Sequence, residues 1–301
     1  MSDFLEMART GKNDWWRYLL SLPGILLIWL SVGSVPVVLL VFYVMGDGNP
    51  GTNVTDTGFV GIPVLLDFVA TMLTFIPFIV ATLLAVRFIH ARPLRTLVTA
   101  APRIRWGRIL AGAAVWFGLA ALISILEASL YPGRYVLTFQ PAALAVYAVV
   151  ALILIPIQTS SEELFFRGYL LQWTGLLLKN RWVLAIINGA LFLLPHVLNP
   201  EMGVDGVLVG LSYFAFGFFL ALVTLRDNGM ELALGVHAAN NLYTAILANY
   251  TVTAISSPAL FTIQTLDAMY GLVSVVIAMF VFYLIFFAGR RPQRVQEAVV
   301  E

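Results

Sequence analysis

The chain of 301 residues contains no cysteine and little charge. The absence of cysteine excludes a disulfide scaffold, a thiol nucleophile and a cysteine-ligated zinc site. Charged residues make up only 11% of the chain, against about 25% in soluble proteins, too few to cover the surface of a soluble globule. The net charge of +1 gives no sign of a nucleic-acid partner. Hydrophobic residues reach 60% and the mean hydropathy is +0.92, which predicts a membrane protein.

Long apolar runs predict an all-α polytopic membrane protein. A helix that crosses the bilayer needs about 20 mostly apolar residues. Eight stretches meet this requirement, and we expect each to be one transmembrane helix of a single membrane domain over residues 1–301. The eight stretches are residues 21–46, 59–86, 109–131, 141–178, 182–198, 204–225, 231–249 and 268–288.

Basic residues are concentrated on one side of the predicted membrane. Of the 17 Lys and Arg residues, all except Arg134 and Arg167 lie in the two terminal segments or in the loops that follow the second, fourth and sixth spans. Because cytoplasmic loops carry the excess of basic residues, both termini are expected in the cytoplasm, as short ends over residues 1–20 and 289–301. The sequence therefore predicts a multi-pass protein of the inner or plasma membrane.

A small set of polar groups remains inside the predicted spans. Each ionisable side chain at the centre of a membrane helix costs at least about 2.5–3.5 kcal/mol, so each needs an explanation. The set consists of Asp67, Glu127, Glu162, Glu163, Arg167, His196 and His237, together with the amide Asn241.

The segment Glu162-Glu163-x-x-x-Arg167 places two carboxylates and one arginine on one helix. Glu163 and Arg167 are spaced i and i+4, so they face the same way and can form an ion pair. Glu162 lacks this partner. Two adjacent carboxylates at low dielectric do not easily both ionise, so one of them is expected to accept and return a proton. A buried Glu–Arg pair that only fixes the helix register explains the same residues equally well.

Two of the three histidines lie deep in apolar sequence. His196 can be a core residue, a proton relay or a metal ligand. His237 and Asn241 share one face of a helix, where both can donate hydrogen bonds to developing negative charge or to a neighbouring helix. These groups reach a common depth only if the fourth helix continues through the two glutamates, with a kink at Pro156 to relieve its length.

Three motifs in a fixed order resemble the CPBP family, the CAAX proteases and bacteriocin-processing enzymes also called Abi proteins, which includes the Ras-converting CAAX endopeptidase. The motifs are Glu162-Glu163-x-x-x-Arg167, Phe192-x-x-x-His196 and His237-x-x-x-Asn241. The resemblance covers residues 141–250 and implies that the spans within them are the catalytic core of an intramembrane endopeptidase.

The resemblance also implies a role for each motif residue. Glu162 and His196 would activate a water for attack on the peptide bond, and His237 and Asn241 would hold the oxyanion. The remaining motif residues would support the site; they are Glu163, Arg167 and Phe192.

The same resemblance bears on the expected cofactors and partners. A zinc ion held by His196, His237 and Glu162 stays open, but no cofactor is expected, because Asn241 is a better oxyanion donor than zinc ligand. The expected partners are the lipid bilayer and a peptide or protein substrate, C-terminal and lipid-modified if the likeness to CAAX proteases extends that far. No nucleic acid is expected, and the active site is expected to open to the cytoplasmic side.

Two other classes of protein bury the same residue types. A non-proteolytic immunity or assembly factor could retain the motifs for helix packing. An ion-coupled transporter would use Asp67 and Glu127 as further relay groups. The distinguishing feature is whether the polar groups converge at one water or are strung across the bilayer.

Overall fold

The computed structural model describes residues 3–55 and 58–289. Within these residues, seven helical stretches are long and apolar enough to cross a membrane. Many large apolar side chains on them face outward, as contact with lipid requires. The chain is therefore an all-α polytopic membrane protein, as predicted. The seven stretches are Trp15–Gly46, Val64–Ile89, Trp106–Leu130, Pro141–Leu177, Arg181–Leu198, Gly206–Asp227 and Ala268–Phe287.

Helices account for most of the described chain. The α-helices are α1 (Asp3–Glu6), α2 (Trp15–Ser31), α3 (Val35–Gly46), α4 (Val64–Leu73), α5 (Phe75–Leu84), α6 (Trp106–Leu130), α7 (Pro141–Glu163), α8 (Leu171–Leu177), α9 (Arg181–Leu193), α10 (Gly206–Asp227), α11 (Glu231–Ile246) and α12 (Ala268–Phe287). Residues Ala85–Ile89 and Leu164–Leu170 are π-helical, and short 3₁₀ turns cover Met7–Thr10, Leu94–Leu97, Leu194–Leu198 and Pro200–Gly203. The predicted span 231–249 corresponds to α11, which has 16 residues and is shorter than the seven stretches.

Prolines divide two of the predicted spans. The predicted span 21–46 consists of α2 and α3, separated just before Pro36, whose ring clashes with the carbonyl four residues earlier. The predicted span 59–86 begins too early, because its first residues form a strand and the helix starts at Val64 after Pro63. The helix that starts at Val64 is interrupted at Thr74, shortly before Pro77. The predicted end from residue 290 onward lies outside the described residues.

Five short strands occur in the loops between helices of the described chain. Strands β1 (Asn53–Thr55) and β2 (Gly58–Val60) pair in antiparallel orientation. Strands β3 (Tyr135–Leu137), β4 (Ala248–Tyr250) and β5 (Phe261–Ile263) form a sheet in the order β3-β5-β4. In this sheet β5 is antiparallel to β3 and parallel to β4. All five strands lie in the loops that are poor in Lys and Arg.

The loops rich in Lys and Arg contact one another at the opposite end of the bundle. Arg105 forms ion pairs with Glu231 at 2.6 Å and with Asp227 at 2.9 Å, and Thr99 forms a β-bridge with Gly229. We call this end the Lys/Arg-rich end. The end that carries the three-stranded sheet is the Lys/Arg-poor end.

The helix that carries the two glutamates is long and continuous. It runs from Pro141 to Leu177 through α7, the π-helical turns and α8, so the predicted continuation through the glutamates is confirmed. The π-helical turns begin directly after Glu163. Such widened turns rotate the residues that follow and are frequent at functional sites.

Glycines bring α11 against α6 and so fix the position of His237. A Cβ atom at Gly235 would lie 2.1 Å from the carbonyl oxygen of Ile109, and one at Gly112 would lie 2.8 Å from the carbonyl oxygen of Leu232. The two backbones therefore approach too closely for any side chain at these positions.

Candidate active site

One cavity of about 590 Å³ brings the predicted site residues together. Glu162, His196, His237 and Asn241 all line it. The side chain of Glu163 is fully buried behind this surface. The polar groups of the predicted core therefore converge on one cavity, as a single site requires.

Glu163 anchors the back of the site. Its Oε1 accepts a hydrogen bond from Nη1 of Arg167 at 2.9 Å, and both side chains are 0% exposed. The predicted pairing of these two residues is confirmed. The same oxygen accepts a hydrogen bond from Nδ1 of His237 at 2.8 Å, and Nη2 of Arg167 donates to the carbonyl of Gly217 at 3.2 Å. Through these contacts Glu163 and Arg167 connect the long helix to α10 and α11.

Glu162 faces the cavity. Its Oε2 lies 3.4 Å from Nε2 of His237, and this oxygen is buried without a hydrogen-bond partner among the described residues. A buried oxygen without a partner costs free energy unless a water or a substrate group binds to it. Glu163 and Glu201 also have an unpartnered buried oxygen, but of the two adjacent glutamates only Glu162 lines the cavity, where it can meet a reactant.

The charges of this buried cluster balance only with one additional proton. Glu162 and Glu163 carry two negative charges when ionised, and Arg167 compensates one of them. An uncompensated charge in a low-dielectric interior is costly, so a proton on Glu162 or on the adjacent Nε2 of His237 is expected to make the cluster neutral. We call this expected additional proton, which Glu162 and His237 would share, the mobile proton.

His196 is oriented by its own helix end and by two aromatic rings. Its Nδ1 donates a hydrogen bond to the carbonyl of Phe192 at 2.7 Å, which leaves Nε2 of the neutral ring as an acceptor. The ring lies 4.6 Å from that of Phe192 and 4.3 Å from that of Tyr213, centroid to centroid. His196 therefore presents a fixed acceptor nitrogen within the cavity wall.

Phe192 packs against two members of the cluster. Its ring lies 4.5 Å from the guanidinium carbon of Arg167 and 5.8 Å from the ring of His237. The cation–π contact helps a buried arginine keep its charge. Phe192 supports the site by packing, and it also lines the cavity.

Asn241 is held by two neighbouring amides. Its Nδ2 donates to Oε1 of Gln158 at 3.1 Å, and its Oδ1 accepts from Nδ2 of Asn240 at 3.2 Å. A side-chain amide nitrogen carries two hydrogens, so one donor of Asn241 stays available for another acceptor.

Further polar residues of the cavity were not predicted from the sequence. Gln158 precedes Glu162 by one helical turn, a spacing that could have identified it, and Asn240 adjoins Asn241. Tyr213 and Glu201 had no such signal. The hydroxyl of Tyr213 donates to Glu201 and accepts from Nδ2 of Asn199 at 2.9 Å. The ring of Tyr213 packs against His196, a contact between segments that are not neighbours on one helix.

The geometry of the site does not match a metal centre. Within residues 3–55 and 58–289, no three His, Asp or Glu side chains are grouped so that they could hold a metal ion. The structure thus does not group His196, His237 and Glu162 as a set of zinc ligands.

The loop residues that line the cavity lie at the Lys/Arg-poor end, and none comes from a Lys/Arg-rich loop. Along the long helix, Glu163 lies about 27 Å from the Lys/Arg-rich turn after α8. The expected access from the cytoplasmic side stays a prediction. The lining loop residues are Tyr135, Asn199, Glu201, Tyr250, Val252, Thr253, Ala254, Ile255 and Leu266.

The two remaining carboxylates of the spans do not form a chain across the membrane. Glu127 lines the cavity, and its carboxylate accepts from Arg134 at 2.8 Å and from the hydroxyl of Tyr135 at 2.7 Å. Asp67 is not among the lining residues. The polar groups thus converge at one end, in contrast to the relay that a transporter would need.

Fold and site together define a polytopic membrane protein with a buried carboxylate–histidine centre. A family model described as type II CAAX prenyl endopeptidase Rce1-like matches residues 141–243. The uncharacterised protein YyaK of Bacillus subtilis (strain 168) is 32% identical over 272 residues, which cover 90% of this chain and 90% of YyaK. No solved structure matches the chain. The chain belongs to the Rce1-like family of CAAX-type proteases.

Proposed function

We propose that the protein is an intramembrane endopeptidase whose catalytic core is residues 141–250. The convergence of Glu162, His196, His237 and Asn241 on one cavity carries this proposal. Membership in the Rce1-like family supports hydrolysis of a peptide bond as the reaction.

In the proposed mechanism, a water lies between the unpartnered oxygen of Glu162 and Nε2 of His196. These two groups remove a proton from the water as its oxygen attacks the carbonyl carbon of the peptide bond. The free hydrogen of the Asn241 amide donates to the oxyanion that develops. The tetrahedral intermediate then collapses: the oxyanion returns to a carbonyl, the C–N bond breaks to leave a carboxylic acid, and the proton taken from the water passes to the nitrogen of the leaving amine.

His237 has a conditional role in this mechanism. Its Nδ1 is committed to Glu163, so it can donate to the oxyanion only through Nε2, and only while it holds the mobile proton. Glu163 and Arg167 keep the ring in place. Protonation of His237 leaves Glu162 ionised, which is the form that acts as a base.

The topology that suits this function has eight membrane segments, with α11 as the seventh and both chain ends in the cytoplasm. The concentration of basic residues at the Lys/Arg-rich end supports this orientation. We further propose that no metal is needed, since a carboxylate and a histidine can activate water without one.

The experiment that tests the function compares wild type with Glu162→Gln. We expect new peptide ends in membranes that express wild type. These ends should be absent from membranes that express Glu162→Gln at the same level. Glu6→Gln, at a half-buried position outside the cavity that pairs with Arg9, serves as the matched control and is expected to behave like wild type. Identical sets of peptide ends with wild type and Glu162→Gln would favour a non-proteolytic immunity or assembly factor.

A further inference from the structure

We propose that Tyr213 is a positioning residue for the hydrolysis, which holds the ring of His196 in place and stabilises that ring when it takes up a proton. Two residues of the connection between α9 and α10, Asn199 and Glu201, hold Tyr213 in turn. None of these three supporting residues belongs to the sequence motifs. The inference rests on the proposed function, because it adds a residue to the water-activating part of the same site.

His196 lies beyond the end of a regular helix and needs support. Helix α9 ends at Leu193, and His196 belongs to the 3₁₀ turn Leu194–Leu198, in which hydrogen-bond geometry is poorer than in an α-helix. Among the described residues, the ring forms one hydrogen bond, from Nδ1 to the carbonyl of Phe192. This bond restrains only one edge of the ring, so a fixed position of Nε2 requires packing against the ring as well.

Two aromatic rings supply that packing. The planes of Phe192 and Tyr213 are inclined by 36° and 32° to the plane of His196. Phe192 lies one helical turn earlier on α9, whereas Tyr213 belongs to α10. Tyr213 therefore ties the position of His196 to a second membrane helix.

The chain that follows His196 holds Tyr213 at its hydroxyl. Glu201 accepts the hydrogen of this hydroxyl, and Nδ2 of Asn199 donates to its oxygen at 2.9 Å. A phenol has one hydrogen to donate, so its orientation is fixed by the bond to Glu201. The segment that begins at His196 thus turns back to hold the ring that packs on it.

Glu201 brings negative charge to this group. No Lys or Arg lines the cavity, and Oε2 of Glu201 is buried without a hydrogen-bond partner among the described residues. A tyrosine that donates to a carboxylate gains electron density on its ring, because hydrogen bonds polarise their partners. A cation within about 6 Å of such a ring is attracted to its face. His196 becomes a cation when it removes the proton from water, so Tyr213 and Glu201 favour that step.

Other charged groups around His196 make this support necessary. Arg167 on the long helix and His237 on α11 act on it through space, and positive charge on either disfavours a further cation. Glu162 lines the same cavity, but the mobile proton partly neutralises it. Glu201 is a carboxylate outside that shared cluster, and it reaches His196 through the ring of Tyr213.

Three variants separate the ring from the charge. Tyr213→Phe keeps the ring and loses the bond to Glu201, Tyr213→Leu removes the ring, and Glu201→Gln keeps the shape and removes the charge. The matched controls are Tyr283→Phe on α12 and Glu6→Gln, both outside the cavity. For each variant, kcat and KM for a reporter made from a wild-type cleavage site are measured per folded protein between pH 5 and pH 9.

We expect Tyr213→Phe and Glu201→Gln to lower kcat about tenfold, part of the roughly 10²–10⁴-fold that a general base contributes, with KM unchanged. The decline of kcat on the acid side should move to lower pH, because the protonated ring is less stable. Tyr213→Leu should lower kcat further, by about 10²-fold, since the ring of His196 is no longer held. Wild-type kcat in Tyr213→Phe and Glu201→Gln would overturn the proposal. A lowered unfolding midpoint with an unchanged pH profile would overturn it as well.

A second measurement needs no cleavage. The chain has only three histidines, so the ring signals of isotopically labelled His196 can be followed by NMR in detergent and assigned with His196→Gln. In Tyr213→Phe and Glu201→Gln, His196 should take up its proton about 0.5 pH unit or more below wild type. Identical titrations would overturn the proposal. Absence of cleavage by wild type would contradict the peptidase itself, while these titrations still decide the role of Tyr213.

Discussion

Nδ1 of His237 lies 2.8 Å from Oε1 of Glu163, and this contact determines which nitrogen of the histidine can act in chemistry. Because a carboxylate only accepts hydrogen bonds, Nδ1 carries the proton and Nε2 is the atom that gains or loses one. That nitrogen lies 3.4 Å from Oε2 of Glu162, the carboxylate that lines the cavity. Glu163 thus orients the histidine whose other nitrogen faces Glu162.

Replacement of the buried arginine is expected to act on stability. Arg167→Ala leaves Glu163 buried without its cation, and the loss of one partner of a buried ion pair costs about 3–5 kcal/mol. A clearly lowered midpoint of thermal unfolding in detergent is expected, with Arg103→Ala on the exposed loop as the unaffected control. An unchanged midpoint for Arg167→Ala would contradict the structural role assigned to this pair.

Removal of the proposed oxyanion donor is expected to slow cleavage without unfolding the protein. Asn241→Ala should reduce the rate by about 10²–10³-fold, the usual effect of one lost oxyanion donor. Asn53→Ala, at an exposed position, should have no effect. Cleavage by Asn241→Ala at the wild-type rate would show that this amide only packs helices.

The close approach of α11 to α6 is expected to control activity through the position of His237. Gly235→Ala places a methyl group against the backbone of Ile109, so α11 has to shift, and both activity and the unfolding midpoint should fall. The matched control is Gly118→Ala on α6, where a Cβ meets nothing within 4 Å. Equal behaviour of the two variants would refute the role of this contact.

Acid is expected to weaken the Lys/Arg-rich end through His90. Burial lowers the pKa of His90, although its hydrogen bond to the carbonyl of Lys12 opposes this effect. A histidine is protonated more readily in the unfolded chain, with a pKa near 6.5, so stability is retained above about pH 6.5 and lost as the pH falls below it.

The measurement is the unfolding midpoint of wild type and His90→Gln between pH 8 and pH 5. The decline below about pH 6.5 should be smaller in His90→Gln, because glutamine has no proton to gain. Parallel curves for the two proteins would rule out His90 as the source.

The sequence predicts where the membrane helices lie better than where they are interrupted. Apolar runs define the membrane segments because lipid contact demands them, but a run of apolar residues does not show that Pro36 and Pro77 divide two spans. The local spacing of Glu163 and Arg167 predicts their ion pair, since both lie on one helix.

Contacts between distant segments could not be predicted in this way. The stacking of His196 on Tyr213 depends on the turn between α9 and α10, and part of the cavity wall depends on a sheet made from three separate loops. The basic residues indicate the orientation of the bundle. They do not indicate which loops line the cavity.

In the proposed mechanism Glu162 activates water without a metal ion. The most direct test is cleavage of a reporter that carries a segment identified from the new peptide ends, by protein purified in strong chelator, with metal content measured on the same sample. We expect wild type to cleave at a few per cent metal occupancy or less, and Glu162→Gln to be folded and inactive. Activity that disappears with the metal and returns with stoichiometric zinc, or wild-type turnover by Glu162→Gln, would contradict this account.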